Sequence, residues 1–338
     1  MRGIRTPLSN GGLKSDKKKR IDDMHDESLP AMPFPPPSSA LLEQAGADAL
    51  NGRLRSWMYA LPKRIQYYLN LWQAEWTGES LRQGYLGYVL PCRRQDGSAA
   101  ILKLSPDTRG AEEQATALSA WAGDGAVPLL AKSFDENGAA LLIGRITPGV
   151  ALRPLYDPAG QRIARCLQRL GLVLASSVRG SLPTGLERLD TLIAANARHV
   201  RSLSPKLRLH QETIIALASA VGRSDGPPER AVLLHGDLHA GNLLVGSNNE
   251  LVAIDPTPAL GEPEQDIGDA AAKNDWGQDL STRVKQLAEA CDADSTKVAA
   301  YARLAAWNCA IFHTATGTEP PGGVDPDELL KYATSEPG

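Results

Sequence analysis

The chain has 338 residues, 42% apolar and 22% charged, with a formal net charge of −3, enough for one large or two medium domains with sizeable cores. No apolar run approaches the roughly 18–20 residues that span a bilayer, and the basic N-terminus lacks the adjoining apolar stretch of a secretory signal, so no membrane partner is expected. Four scattered cysteines without a CxxC pair point to reduced, structural thiols in a cytoplasmic protein and away from a zinc site.

Residues 1–39 are expected to be a disordered extension. KSDKKKR at 14–20 is a solvated charge run, and LPAMPFPPPSS at 29–39 holds five prolines. Such a segment buries too little apolar area to offset its ordering entropy. Residues 40–145 are expected to form a first lobe. Helix-like material fills 40–75, with Ile65, Tyr68, Leu69 and Trp72 on one face. After Gly78 the runs shorten. Tyr88–Pro91 and Ala99–Leu104 flank the turn Gln95-Asp96-Gly97 and read as an antiparallel hairpin. Gly84 and Gly87, in GYLG, either close backbone amides over phosphate or make a simple turn. Lys103 sits between Leu102 and Leu104, so it faces the side opposite to them. Its stem can pack while the ammonium reaches out. A helix is expected over 110–121, a strand over Ala139–Ile143 and a linker over Gly144–Gly149.

Residues 146–330 read as a larger, mainly helical lobe, with helices over 158–177, 186–202, 209–222, 265–272, 280–290 and 295–313. Set into it are two apolar strands, Ala231–Leu234 and Leu251–Ile254, within AVLLHGDLHAGNLLVGSNNELVAIDPTPALGEPEQD at 231–266. Around them stand His235, Asp237, His239, Asn242 and Asp255. Strands that end in convergent polar groups are how a scaffold presents chemistry on loops. Asp237 is the candidate catalytic base, and Asn242 and Asp255 supply the hard oxygen donors that Mg²⁺ prefers. One carboxylate for a proton and two oxygen donors for the metal are what phosphoryl transfer from ATP requires.

This spacing resembles the catalytic loop of protein-kinase-like enzymes. The wording HGDLHAGNLL followed by AIDPTPALGEPEQD is similar to the aminoglycoside phosphotransferase family. GSAAILKL at 97–104, WAGDGAVPLL at 121–130 and AWN at 306–308 resemble its streptomycin 6-phosphotransferase and hydroxyurea phosphotransferase branch. The resemblance runs from about residue 70 to about 315. It implies a two-lobed α+β fold and an ATP- and Mg²⁺-dependent phosphotransferase acting on a small molecule, an aminoglycoside or hydroxyurea. It implies that Asp237 acts with Asn242, and that His235 and Asp266 support the loop from beneath. Lys103 would hold the α- and β-phosphates with a helix carboxylate as partner. Glu112 and Glu113 are both candidates, and Glu113 is preferred, although the family's acidic position falls on Gln114. The backbone of Arg145 and Ile146 would meet the purine.

Alternatives stand beside several of these assignments. HxDxH offers three transition-metal ligands, as a metallohydrolase would use. Asp266 is also placed to cap a helix. The same machinery would serve a metabolite kinase, and a decayed kinase fold would serve as a binding module. Trp276, Trp307, Asn308, Asp269 and Asp275 are candidates for an acceptor pocket, with helix packing as the ordinary role of such tryptophans. From Ala231 to Asp275 there are eight acidic residues against Lys273 alone. A site that acidic is expected to draw a cationic acceptor and to disfavour a nucleic-acid backbone.

Overall fold

Apolar side chains at three- and four-residue spacing build the helix over Arg53–Leu71. The computed structural model describes residues 33–39, 41–42, 52–81, 87–153, 159–203, 205–223 and 230–335. Helix α1 (Arg53–Leu71) buries Trp57, Met58, Leu61, Ile65, Tyr68 and Leu69. Gln73, at φ 50°, is in a left-handed conformation through which a helix does not continue. Ala74–Trp76, expected to extend the helix, instead form strand β1 and pair with Cys92, Arg93 and Arg94.

Strands β2 (Tyr88–Arg94) and β3 (Ala99–Ser105) make the expected hairpin, in register from Tyr88↔Leu104 to Arg93↔Ala99. Helix α2 (Thr108–Trp121), β4 (Leu129–Asp135) and β5 (Gly138–Gly144) follow. The sheet order is β1-β2-β3-β5-β4. Alternate residues, among them Leu90, Leu102, Leu104 and Leu142, form one core with the buried stripe of α1. Lys103 alternates with Leu102 and Leu104 and is half-buried.

The proline-rich residues 33–39 depart from the expected disorder. Phe34 meets Trp76 edge-on at 5.6 Å, and the Tyr88 hydroxyl donates to the Pro35 carbonyl at 2.8 Å. Prolines have little conformational freedom to lose, so a few such contacts suffice to seat them. Residues 1–32 of the expected extension and Gly84 lie outside the described residues.

Contacts divide the chain into two units, Met1–Ala111 with Ala131–Ile143, and Glu112–Leu130 with Gly144–Gly338. A lobe boundary drawn between 145 and 146 misses that 112–130 belongs to the second unit. Hydrogen bonds hold it there. Val127 N–H donates to the Ala253 carbonyl (2.9 Å), Ala253 N–H to Gly125 (2.8 Å) and the Trp121 indole to Leu170 (3.1 Å).

The second unit continues through β6 (Pro148–Ala151), α3 (Ala159–Leu170), α4 (Gly185–Leu203) and α5 (Pro205–Arg223). Then come β7 (Val232–Leu234), β8 (Leu243–Gly246), β9 (Leu251–Ala253) and β10 (Ala259–Gly261). Helices α6 (Pro263–Lys273), α7 (Leu280–Ala290), α8 (Ser295–Thr316) and α9 (Pro326–Thr334) complete it. The helix expected over 158–177 ends at Leu170, and Ala175–Ser177 make a separate 3-10 turn. The expected linker shortens because Pro148 already begins β6. Strands β6, β8 and β9 form one small sheet, and β7 with β10 another. Among the described residues no helix is long and apolar enough to cross a membrane.

Helix α6 seats against α8 through Gly268. A Cβ there would stand 2.7 Å from the Ala302 nitrogen and 2.9 Å from the Val298 oxygen. Replacing a mid-helix glycine by alanine ordinarily gains about 1 kcal/mol. Overpacking costs about 1–3 kcal/mol, and here the obstacle is backbone, which cannot turn aside. Gly268→Ala is therefore expected to destabilise the protein, by up to about 2 kcal/mol net of its helix-propensity gain. An unchanged or higher urea midpoint would refute this.

Candidate active site

The connection from β7 to β8 carries the polar cluster. Strand β7 is buried and pairs with β10, and β8 pairs with β9 in register Leu243↔Ala253 to Val245↔Leu251. These short ladders fix the two ends of the loop 235–242 and the exit at Asp255. Gly236 has φ 76°, and a Cβ there would collide with the Thr257 oxygen. Only glycine fits that crossing.

Asp266, in the first turn of α6, holds the loop. Its carboxylate accepts from His235 N–H at 2.6 Å and Gly236 N–H at 2.8 Å. The N-cap position of α6 is Glu262, so Asp266 is not the cap. Burial pushes its pKa up to about 7, against the pull of the two N–H donors.

His235 is fully buried. Its Nδ1 accepts from Asp237 N–H at 3.3 Å, which places the proton on Nε2, 3.0 Å from the Ile254 carbonyl. Trp121 stacks on the ring at 6.1 Å and 24°. Burial pulls its pKa down to about 4, so the ring is neutral near pH 7. Both nitrogens are spent, and a metal ligand needs one to spare. The HxDxH metal reading thereby loses its first member. His239 accepts from Gly241 N–H through Nδ1 at 3.0 Å and points Nε2 towards Asp237 Oδ2, 3.6 Å away.

Asp237 is half-buried. Its Oδ1 accepts from the Lys273 ammonium at 2.9 Å, and its Oδ2 lies 3.3 Å from Asn242 Nδ2. Burial alone would raise its pKa, but Lys273 first and His239 next outweigh that and hold it at about 2. Lys273 also pairs with Asp269 at 2.8 Å, and Asp269 accepts from Leu238 N–H at 3.1 Å. Burial works against the Lys273 charge, yet the two carboxylates keep it protonated well above the usual lysine range. Asn274 closes the arrangement by donating to the Leu238 and Ala270 carbonyls. Sequence reasoning misses Lys273 as a site residue. Its signals are its place four residues after Asp269 and its standing as the lone cation of an acidic stretch.

Asn242 donates its amide nitrogen to the Asp237 carbonyl at 3.0 Å. A carbonyl only accepts, so the amide oxygen faces the other way as a hard donor. Ile254 N–H donates to the Asn242 carbonyl at 2.9 Å, which ties Asn242 to the residue before Asp255. Asp255 leaves β9 at φ 54°, a left-handed conformation that aspartate tolerates better than most residues. An amide oxygen and one carboxylate suit Mg²⁺, which fills its remaining positions with water and phosphate oxygens.

The remaining candidates fall elsewhere. Lys103 lies in β3, and Arg145 and Ile146 follow β5, all half-buried. Glu113, on α2, is buried and pairs with Arg188 of α4, which also donates to the Pro258 carbonyl at 3.3 Å. Trp307 is fully buried, and Asn308 bonds to Leu304 and Asn196, so both are packing residues of α8. Asp275 pairs with the buried Arg283 at 3.3 Å, and Trp276 donates to Gln286. Cations from outside the acidic stretch also reach it. Arg169 pairs with Glu250 at 3.0 Å, and Lys297 pairs with Glu262. These cations offset part of the negative surplus read from the sequence, which weakens the charge argument for a cationic acceptor.

An antiparallel sheet unit followed by a helical unit with this loop is the make-up of the protein-kinase-like fold. The fold of aminoglycoside phosphotransferase APH(4)-Ia matches with a TM-score of 0.60 at 11% identity, over 81% of this chain and 99% of that one. A choline/ethanolamine kinase family protein from Mesorhizobium loti matches with a TM-score of 0.54 at 16% identity, over 76% and 85%. At those identities the likeness speaks for the fold alone. The model of the aminoglycoside/hydroxyurea antibiotic resistance kinases matches residues 72–317. A hydroxyurea phosphotransferase of Kitasatospora aureofaciens is 33% identical over 246 residues, 69% of either chain. A streptomycin 6-kinase of Streptomyces glaucescens is 29% identical over 269 residues, 75% of this chain and 83% of that one. The chain belongs to the aminoglycoside/hydroxyurea antibiotic resistance kinases, and is a phosphotransferase that uses an alcohol-type group as acceptor.

The buried neutral His235 sets a pH dependence. An unfolded histidine titrates near 6.5 and this one near 4, so the unfolded chain takes up the proton first as the pH falls. The contribution is complete above pH 6.5 and is lost on the way to 4. Between pH 7 and 4 the wild type should lose about 3 kcal/mol more than His235→Asn in urea unfolding. Equal losses would refute the neutral, doubly bonded ring.

Proposed function

We propose that the chain transfers the γ-phosphoryl group of ATP to a hydroxyl of streptomycin or of hydroxyurea. The observation that carries this reading is Asp237, held ionised on a loop that Asp266 pins from beneath. In this reading the acceptor hydroxyl approaches Asp237 Oδ2, whose contacts with Asn242 (3.3 Å) and His239 (3.6 Å) are longer than the 2.9 Å contact of Lys273 with Oδ1. Asp237 orients that hydroxyl and takes its proton as the oxygen bonds to phosphorus and the ADP oxygen leaves. Positioning and charge neutralisation carry most of such a reaction, whose transition state is loose.

Asn242 and Asp255 are the residues assigned to Mg²⁺. When bound, Mg²⁺ would neutralise charge on the phosphates and brace them for in-line transfer. His235 and Asp266 keep the loop in shape and do not touch substrate. Lys103 is assigned to the α- and β-phosphates; Glu113, the helix carboxylate that the family resemblance offers as its partner, is already paired with Arg188. The backbone of Arg145 and Ile146 is assigned to the purine. Support for ATP as donor comes from a protein of the same fold. A thermostable mutant of APH(4)-Ia was crystallised as a ternary complex with AMP-PNP and hygromycin B.

The reading is tested by measuring ADP release with ATP and Mg²⁺ over aminoglycosides, hydroxyurea and metabolite alcohols. Asp237→Ala should lose roughly 10²–10⁴-fold in kcat on the accepted substrate. Undiminished turnover would remove Asp237 from the role of base. Asp255→Ala should abolish Mg²⁺-dependent turnover, and residual wild-type activity in that variant would overturn the metal assignment.

A further inference from the structure

Among the described residues, Lys273 is the one lysine built into the carboxylate pair Asp237 and Asp269. Its ammonium reaches them at 2.9 and 2.8 Å from the last turn of α6, with the side chain 16% exposed. An ammonium has three donors. Two are spent, and among the described residues the third has no partner. Asp269 is itself fixed by Leu238 N–H, and Asn274 ties Leu238 back to α6. The ammonium therefore has a defined place and is not a wandering surface lysine.

We propose that Lys273 is a specificity-determining residue, whose charge makes the site select acceptors that are neutral next to the phosphorylated hydroxyl. This rests on the phosphotransferase reading, which brings the acceptor oxygen to Asp237. A substituent one or two bonds from that oxygen then comes within a few ångströms of Lys273 Nζ. A guanidinium or ammonium there meets a like charge in a half-buried setting, where screening by solvent is weak. A carbonyl or hydroxyl instead meets the unspent N–H. Two bare carboxylates would receive an acceptor's cation, and this chain supplies that cation itself.

The test compares hydroxyurea, which is neutral, with streptomycin, which carries guanidinium groups. Lys273→Met, Lys273→Arg and Asp269→Asn are each titrated with both compounds by calorimetry, and kcat/KM is measured where turnover occurs. Lys273→Met should bind streptomycin at least about tenfold tighter than wild type does, the scale of one full charge removed at hydrogen-bond range. Its affinity for hydroxyurea should stay equal or fall. Lys273→Arg should keep the wild-type preference, and Asp269→Asn, which adds net positive charge, should weaken streptomycin further. Should Lys273→Met not fold, the opposite shift in Asp269→Asn still decides. Equal shifts for both compounds, or streptomycin binding to none of the proteins, would overturn the proposal. Binding needs no turnover, so failure of wild type to phosphorylate either compound counts against the phosphotransferase reading alone.

Discussion

Everything at the site hangs from the Asp266 carboxylate, which accepts the N–H groups of His235 and Gly236. A loop lying across buried ground has backbone donors to satisfy, and each one left unmet costs roughly 1–3 kcal/mol. Asp266 meets two at once from a rigid helix. With them met, the His235 ring can point inward to the Ile254 carbonyl, and Asp237 is left as the next side chain outward. The same helix supplies Asp269 and Lys273, so both the floor of the loop and the counter-charge of its aspartate move together.

That coupling explains the unequal charges within a small space. Asp266 is driven towards its neutral form by burial, while Asp237, a short way outward, is held at about 2. The difference lies in the partners. Asp266 faces peptide N–H groups, which carry partial charges. Asp237 faces a full ammonium. Two aspartates of one motif thus take different roles through the donors they meet.

In the sequence Asp237 and Asp255 stand just beyond apolar runs and Asn242 just before one, so their places at strand ends were legible, while their roles remain a proposal. The β2–β3 hairpin and the helices over 280–290 and 295–313 were legible through their long and regular patterns. Strands β8 and β10 were not, since each runs into a glycine, a residue depleted in strands. Lys273 was hidden because a lysine in the last turn of a helix is ordinary until its partners are known. The acidic surplus was larger on paper than in the fold for a related reason. Arg169, Arg283 and Lys297 lie outside the stretch and pair with it only after folding.

Residues 112–130 give the catalytic half of the chain an unexpected pedigree. They stack Trp121 on His235, hydrogen-bond to Ala253 beside the metal-ligand candidate, and offer Glu113 to Arg188. A piece cut at residue 146 would lack all three and would leave a buried ring and a guanidinium without their neighbours. The lobe that carries the chemistry is discontinuous in sequence, with its first segment threaded in before the sheet of the other lobe is finished. Exchange of lobes between relatives would therefore have to carry this inserted segment along, and a single crossover point does not exist for it.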